Sequence, residues 1–595
     1  MSGEDGSLPV AGRHGELTSL LAELPFCDGL EPAALADLAA EVTWFALPGG
    51  ATLFEQGDPP DALYIVATGC LRAVVAIAGG AVAEVGRVTA GETVGEMALI
   101  SGKRRSATVQ ALRDTELVRL SRESFESLLD RHPRAMMNLA RLIVRRLELA
   151  QRTKPAVATA KTFAILPHGP DVPAATFAAA FAAALARFGS TELVTRAKAA
   201  DRTSDWFHRV ESGSDYVVYL AEADVSSWGR LCLRQVDCVL LLARAADKAS
   251  PWQLLAGGPN PGTVTPHAEL VLLHEGHGMP RGTIHWLNQH PVDMHHHVRV
   301  AADVERTARL LTGRAVGLVL SGGGARGFAH IGVIAALRQA GIPLDLVGGT
   351  SMGAIIAAGV AGEWDDAMML ERYRQAFVAS NPLSDITIPT ISLVKGHKVS
   401  RLLQTAFGEL QIEDLWRPYF CVSANLTRGA AVVHRRGLLW RWLRASVAIP
   451  GVLPPVYDNG DLHVDGGVIN NLPVDVMREI GRGPVIGVDA SADDTFVAEA
   501  AEHKLPLWRR LMRDEGVRMP NILQILWRAG TVNSGAAVAV FREQTDLLME
   551  PPLASVDMLD WKAFDRAIEI GHRHATERLA GMPRPLPVEG GMLPV

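Results

Sequence analysis

The sequence predicts a multidomain chain with an N-terminal β-barrel and flanking helices, a small α/β domain in the middle and a larger α/β domain at the C-terminus. Three observations carry this reading. Short apolar runs punctuated by glycine, Leu53–Gln56, Leu63–Ala67, Leu71–Ile77 and Val82–Val88, have the length and spacing of barrel strands, with helical pattern from Ser121 to Gln151. From about Thr162 to Arg306, runs such as Phe163–Leu166, Tyr216–Leu220, Val236–Ala243 and Leu270–Leu273 alternate with helical segments. From Arg314 the alternation returns, with glycine clusters closing two of its apolar runs. The boundaries expected are 17–154, 162–306 and 314–580, followed by an irregular tail, 581–595, with four prolines.

With 595 residues, 48% of them hydrophobic and 21% charged, the chain is long enough for several cores. A formal net charge of -7 and the lack of a dense basic run exclude nucleic acid as an expected partner. Cys27, Cys70, Cys232, Cys238 and Cys421 are scattered and odd in number, which fits free thiols in a reducing compartment. The polar, acidic N-terminus has no signal pattern, and no apolar run reaches about 18 residues. The alanine-rich stretch Ala174–Ala186 is too weakly apolar to span a bilayer. A cytoplasmic protein is expected. Oligomeric state is not legible.

In the C-terminal region the run Ala315–Leu320 opens into Ser321 and the tract Gly322-Gly323-Gly324-Ala325-Arg326-Gly327, followed by helical pattern from Phe328 to Ala340. Glycine N–H groups converging at a helix N-terminus make either an oxyanion hole or a phosphate-binding turn. A second run, Leu344–Gly348, ends in Gly349-Thr350-Ser351-Met352-Gly353, the G-x-S-x-G pattern in which a strand turns sharply into a helix and leaves the serine oxygen exposed. Ser351 is therefore the expected nucleophile. Its base is open on the residues alone: His503, His572 and His574 lie downstream, and Asp465 precedes two glycines that let the backbone bend tightly. His330 and His463 are expected in packing or hydrogen-bonding roles, and Asn470 and Asn471 as turn formers.

The tract G-G-G-A-R-G-F-A-H-I-G, the pentapeptide G-T-S-M-G, the segment Ala445–Pro455 and D-G-G-V-I-N-N-L-P resemble the patatin-like phospholipases over about Val316–Val488. The resemblance implies an α/β patatin-like hydrolase domain with a Ser-Asp dyad and no histidine. It assigns Ser351 as nucleophile, Asp465 as base, and the N–H groups of Gly322, Gly323 and Gly324 as the oxyanion hole. It requires no cofactor for catalysis and no metal. Arg326, within the tract and expected near the oxyanion hole, is a candidate contact for a lipid phosphate, with a structural ion pair as the alternative.

In Val94–Val109 a glycine-acid pair opens a short helix, and an arginine-serine pair follows nine residues on. Helix N–H groups and a guanidinium suit an anionic phosphate, and a carboxylate suits a ribose hydroxyl. With Leu53–Asp58 and Leu63–Val66, this segment resembles cyclic nucleotide-binding domains over about Phe26–Arg146, which implies a pocket of Gly95, Glu96, Arg105 and Ser106 for cyclic AMP or cyclic GMP as regulatory ligand. Val94 stands where that family commonly has an aromatic residue, and Arg104 where it has proline.

The middle segment Tyr216–Ala243 resembles the region between these two domains in neuropathy target esterase-like lysophospholipases. It has no G-x-x-x-x-G-K-[ST] loop and is expected to connect the outer domains. Cys232 and Cys238 are expected on strands and the run Met294–His297 on the surface, so a metal site there is not expected. The function expected is hydrolysis of phospholipid or lysophospholipid acyl esters under cyclic nucleotide control, with peripheral contact on the inner face of the membrane through Trp440–Leu453 or Leu505–Trp527. The alternative is a nucleotide-sensing regulator or scaffold whose hydrolase domain is idle.

Overall fold

A computed structural model describes residues 14–23, 27–28, 31–76, 82–132, 137–138, 140–141, 160–200, 202–255, 267–388, 391–491, 540–581, 587–588 and 591–592. The chain forms two compact units, residues 1–273 with 286–305, and residues 274–285 with 306–595. Among the described residues, no helix is long and apolar enough to cross a membrane.

The first unit begins with the predicted barrel, built from two antiparallel four-stranded sheets. One has the order Thr43–Leu47, Thr115–Ser121, Ala62–Thr68, Thr93–Val94; the other has Thr52–Phe54, Thr108–Ala111, Cys70–Ala76, Val82–Thr89. The strand Ala62–Thr68 is buried almost throughout because its period-two alternation serves two cores. Leu63, Ile65 and Ala67 pack with Leu21, Leu35, Leu38 and Phe125 from the flanking helices, while Ala62, Tyr64 and Val66 pack with Leu71, Val109 and Leu117. Helical structure after the barrel is described over Arg122–Arg131; most of the remainder of the helix expected as far as Gln151 lies outside the described residues.

The second half of this unit is a parallel six-stranded sheet in the order Thr191–Thr195, Tyr216–Leu220, Thr162–Pro167, Cys238–Arg244, His267–Leu273, Met294–Val298. Its central strands read as continuous apolar runs because helices cover both faces. Two expectations are corrected here. Cys232 lies in the helix Ser227–Arg234 and not on a strand. The histidine run forms the edge strand Met294–Val298, with His296 only 3% exposed. That burial is tolerated because Glu269, on the adjoining strand, meets His296 Nε2 at 2.5 Å. Among the described residues no group of three or more His, Cys, Asp or Glu side chains is arranged to hold a metal ion.

Charged side chains join the barrel to this sheet. Asp237 accepts the N–H groups of Lys161 and Thr162 at 2.9 and 3.1 Å, and its other oxygen lies 3.1 Å from Arg87 and 3.6 Å from Arg113. Arg113 also pairs with Glu211, which accepts the Tyr219 hydroxyl at 2.9 Å. The two guanidinium groups overcome the cost of burial and hold the Asp237 carboxyl below its ordinary range.

In the second unit the sheet order is Val456–Asp458, Asp461–Asp465, Tyr419–Asn425, Leu346–Thr350, Gly317–Leu320, Val485–Val488, Leu547–Met549, with Ala430–His434 also pairing to Tyr419–Asn425. The five strands from Tyr419–Asn425 to Leu547–Met549 are parallel to their neighbours, and the rest are antiparallel. The core gathers around the helices Ala329–Gln339 and Met352–Ala361. The C-terminal helix Phe564–Ala580 crosses Ala329–Gln339 at glycines. A Cβ on Gly332 would lie 2.0 Å from the Ile568 carbonyl oxygen, and one on Gly571 2.1 Å from that of Ala329. Of the segments expected to meet lipid, 440–453 contributes Leu443, Val452 and Leu453 to buried positions, and 505–527 lies outside the described residues.

Candidate active site

Strand register brings the expected nucleophile and base together. Leu346–Thr350 runs parallel to Tyr419–Asn425 until Thr350 stands opposite Val422. The next residue of the longer strand, Ser423, is opposite Asp465 in the antiparallel pairing. The residue after Thr350 and the carboxylate at the end of Asp461–Asp465 therefore converge beside one strand. Ser351 Oγ donates to Asp465 Oδ2 at 2.6 Å, 114 positions apart in the chain.

The elbow is strained as its sequence predicts. Ser351 has φ 54° and ψ −124°, a left-handed backbone for a residue with a side chain. Its N–H donates to Ser446 Oγ at 2.9 Å, and Ser446 in turn donates to the Val422 carbonyl at 2.6 Å. The flanking glycines are needed because the elbow presses on the neighbouring strand. A Cβ on Gly349 or Gly353 would lie 2.5 or 2.3 Å from the Leu320 carbonyl oxygen. Ser351 is only 5% exposed, which corrects the expectation of an exposed serine, because the elbow packs against the Leu320 carbonyl and the Ser446 hydroxyl; Asp465 is fully buried.

Burial raises the Asp465 pKa to about 7, against the opposing effects of the Ser351 hydroxyl and the Gly467 N–H, which donates to Oδ1 at 2.8 Å. The Asp465 N–H is held by the Ala448 carbonyl at 2.9 Å. Gly466 admits no side chain, since a Cβ would lie 2.4 Å from the Val422 carbonyl oxygen. The pair is a neutral hydroxyl hydrogen-bonded to a carboxyl that changes charge near neutral pH, a combination suited to proton transfer.

The glycine tract lies against Ser351, with a Cβ on Gly322 falling 3.0 Å from that of Ser351. One of its three expected donors is corrected: the Gly322 N–H is committed to the Asn471 carbonyl at 3.2 Å. The N–H groups of Gly323 and Gly324 have no acceptor among the described residues. Gly324 has φ 58°, and its Cβ would lie 2.3 Å from the Met558 carbonyl oxygen. A 3-10 turn, Gly324–Phe328, intervenes before the helix expected from Phe328, which begins at Ala329.

Sequence reasoning missed the residues that brace this loop. Asn471 Nδ2 reaches the Gly322 carbonyl at 3.4 Å and Ser491 Oγ at 3.2 Å, and the Asn470 carbonyl accepts the Thr350 hydroxyl at 2.9 Å. Both asparagines are buried, which sets them apart from ordinary turn formers. The segment Ala445–Pro455 signalled the neighbourhood of Ser446 without its role.

Arg326 Nε donates to the Val556 carbonyl at 2.8 Å. Buried His330 holds the Ser321 carbonyl through Nε2 at 2.9 Å, and burial lowers its pKa to about 4, so the ring is neutral. His463 and His434 both bond Ser423 Oγ, at 3.0 and 2.7 Å. His572 bonds Gln339 at 3.0 Å, His574 accepts the Glu550 N–H at 3.2 Å, and His503 lies outside the described residues. Among the described residues no histidine bonds Ser351 or Asp465.

In the barrel, Gly95 has φ 94° and opens the short helix Glu96–Ser101. Arg105 is brought against it, and a Cβ on Gly95 would lie 2.3 Å from the guanidinium. Arg105 is 2% exposed; it donates to the Gly95 and Ala62 carbonyls at 3.0 and 2.8 Å and to Asp61 Oδ1 at 2.8 Å, with Phe54 stacked at 4.1 Å. Glu96 is buried and Ser106 is exposed. Asp61, which sequence reasoning did not single out, is the anion Arg105 now holds.

Three family models match the chain. The cyclic nucleotide-binding domain covers residues 45–132, the neuropathy target esterase family P-loop like domain covers 159–317, and the patatin-like phospholipase covers 318–478. Against Patatin-like phospholipase domain-containing protein 6 of Homo sapiens the chain is 32% identical over 617 residues, 91% of this chain and 45% of that protein. Against Lysophospholipase nte1 of Neosartorya fischeri it is 30% identical over 641 residues, 91% of this chain and 42% of that protein. The catabolite activator protein of Thermus thermophilus is 31% identical over 28% of this chain and 70% of its own, with a TM-score of 0.21. The chain spans less than half the length of the curated relatives it matches.

Proposed function

We propose that this chain hydrolyses phospholipid or lysophospholipid acyl esters through a Ser351–Asp465 dyad, a reading supported by the match of residues 318–478 to the patatin-like phospholipase model, after matches to the cyclic nucleotide-binding domain and the neuropathy target esterase family P-loop like domain. The observation that carries the reading is the 2.6 Å hydrogen bond from Ser351 Oγ to a fully buried carboxylate.

In this mechanism Asp465 Oδ2 takes the hydroxyl proton as Ser351 Oγ bonds to the acyl carbon. Charge developing on the carbonyl oxygen is met by the N–H groups of Gly323 and Gly324. Collapse breaks the ester bond, and the leaving alcohol oxygen receives the proton from Asp465. Water then enters, gives a proton to Asp465 and bonds to the acyl carbon. The second collapse breaks the bond to Ser351, returns the proton to its oxygen and releases the fatty acid. No cofactor enters these steps.

Under the same proposal residues 314–580 are the hydrolase, controlled by residues 17–154 as sensor through 162–306 as connector, with 581–595 as tail. Cyclic AMP or cyclic GMP would occupy the pocket of Gly95, Glu96, Arg105 and Ser106, with its phosphate replacing Asp61 on Arg105. The site of action is the cytoplasmic side of a membrane, with peripheral contact. Wild type, Ser351→Ala and Asp465→Asn compared on lysophosphatidylcholine, with fatty acid release measured by mass spectrometry, test the chemistry. Release should vanish in both variants; equal release from all three proteins would overturn the Ser351–Asp465 assignment, and no release from wild type would leave a nucleotide-sensing scaffold. Titration with each cyclic nucleotide tests control, and binding without a change in rate removes it.

A further inference from the structure

The hydrolase unit displays an apolar element that its own core does not use. Ile388, Ile386 and Ile391 are 81%, 76% and 64% exposed; the first two are the most exposed large hydrophobic side chains among the described residues. Their backbone is nonetheless well anchored. Residues 385–388 and 391–395 run antiparallel, with Ile386 bridged to Val394, the Thr387 N–H on the Leu393 carbonyl at 3.0 Å and the Lys395 N–H on the Asp385 carbonyl at 2.8 Å. An exposed isoleucine in a frayed tail is unremarkable, but three on two segments hydrogen-bonded to each other form an apolar patch on an anchored backbone.

Two further features identify what the patch meets. Lys395 and, on the following helix His397–Phe407, Lys398 and Arg401 are exposed, while Val399, Leu403 and Phe407 of that helix are buried. Three cations thus stand against one acid, Asp385, which already accepts the Lys398 N–H at 3.2 Å. The turnback is also continuous with the site. Leu393 and Val394 donate to the Gly451 and Val452 carbonyls at 2.9 and 3.1 Å, and the same segment supplies Ala448 to the Asp465 backbone and Ser446 to that of Ser351.

We propose that Ile386, Ile388 and Ile391, flanked by Lys395, Lys398 and Arg401, dock this unit onto an anionic lipid surface, holding the Ser351 site at the bilayer from which an ester is drawn. The isoleucines enter the acyl region and the cations meet lipid phosphates. This rests on the phospholipid hydrolase reading and names the element that delivers it to substrate.

The test uses the full chain and vesicles of phosphatidylcholine and phosphatidylglycerol in equal parts, with phosphatidylcholine vesicles as the neutral control, read by co-sedimentation. Wild type should sediment with the mixed vesicles more than with the neutral ones. Ile386→Ser with Ile388→Ser and Ile391→Ser should lower the bound fraction at least about tenfold. Lys395→Glu with Arg401→Glu should abolish the preference for anionic vesicles and its sensitivity to salt. Both multiple variants should hydrolyse a soluble short-chain ester within about twofold of wild type, and Ser351→Ala should sediment as wild type does. Undiminished binding by the isoleucine variant would overturn the proposal. So would loss of an oligomer in light scattering with vesicle binding retained, which would make the patch a contact between copies. If wild type hydrolyses no ester yet sedimentation follows this pattern, the catalytic reading fails and the docking surface stands.

Discussion

Ser446 holds the backbone of Ser351: its hydroxyl accepts the Ser351 N–H at 2.9 Å while donating to the Val422 carbonyl at 2.6 Å. The left-handed turn at Ser351 is thereby tied to the strand that pairs with Asp465. Ser446→Ala leaves a buried N–H without its acceptor, a loss of about 1–3 kcal/mol at the elbow. The expected result is a fall in kcat of about tenfold or more, with Ser446→Thr recovering part of it. Steady-state kinetics beside thermal unfolding separate a displaced nucleophile from a destabilised domain.

If Asp465 is the base, as proposed, its pKa of about 7 predicts a rate that rises through neutral pH as it loses its proton, so kcat/KM on a soluble ester should show an ascending limb near that value. Stability moves the other way. The folded-state pKa lies above the unfolded one, near 3.8, so the folded protein binds the extra proton between them. This carboxylate's contribution to stability therefore declines as pH rises from about 4 to about 7 and is constant above that. Asp465→Asn removes the buried charge, and at pH 8 it should be inactive yet more stable than wild type, by up to about 4 kcal/mol. An Asn variant equally stable or weaker at pH 8, measured by denaturant unfolding, would contradict the assignment.

Gly322 is predicted to be intolerant of any side chain for a reason separable from its N–H. A Cβ there would lie 2.5 Å from Asn471 Oδ1 and 3.0 Å from Ser351 Cβ. Gly322→Ala should lower kcat by about a hundredfold, and shortening the neighbour, as in Gly322→Ala with Asn471→Ser, should recover at least about tenfold of the loss. A double variant as slow as the single one would place the damage elsewhere.

Arg113 is the partly buried cation between Glu211 and Asp237, and so between barrel and middle sheet. Arg113→Met should destabilise the first unit by about 2–3 kcal/mol, because the partly buried Glu211 and the buried Asp237 both lose a partner while Asp237 keeps Arg87. Removing the acid instead, as in Glu211→Gln, should cost less, since Arg113 retains Asp237. Denaturant titrations of the three proteins give the ranking directly.

Much of this architecture is legible in the sequence because local physics dictates it. Alternation of period two marks Ala62–Thr68, and unbroken apolar runs mark the parallel strands Gly317–Leu320 and Cys238–Arg244. Glycines that no other residue can replace mark the turns at Ser351 and Asp465. What escaped depends on contacts between distant positions. Ser446 and Asn471 act through backbone groups 95 and 149 residues away, so the motifs that contain them mark their neighbourhood but not their role. The burial of His296 required knowing that Glu269 sits on the next strand. The Gly322 N–H counted as a free donor until the Asn471 carbonyl was placed beside it.

The strand Tyr419–Asn425, which pairs with Leu346–Thr350 up to Val422 and with Asp461–Asp465 from Ser423, works as a ruler for the chemistry. Deleting one residue at that junction would slide Asp465 by about 3.3 Å and turn its side chain to the opposite face, while most of the sheet kept its pairing. Between a working hydrolase and a silent relative of the same shape there can thus stand a single step of register, a change no inspection of motif residues alone would reveal.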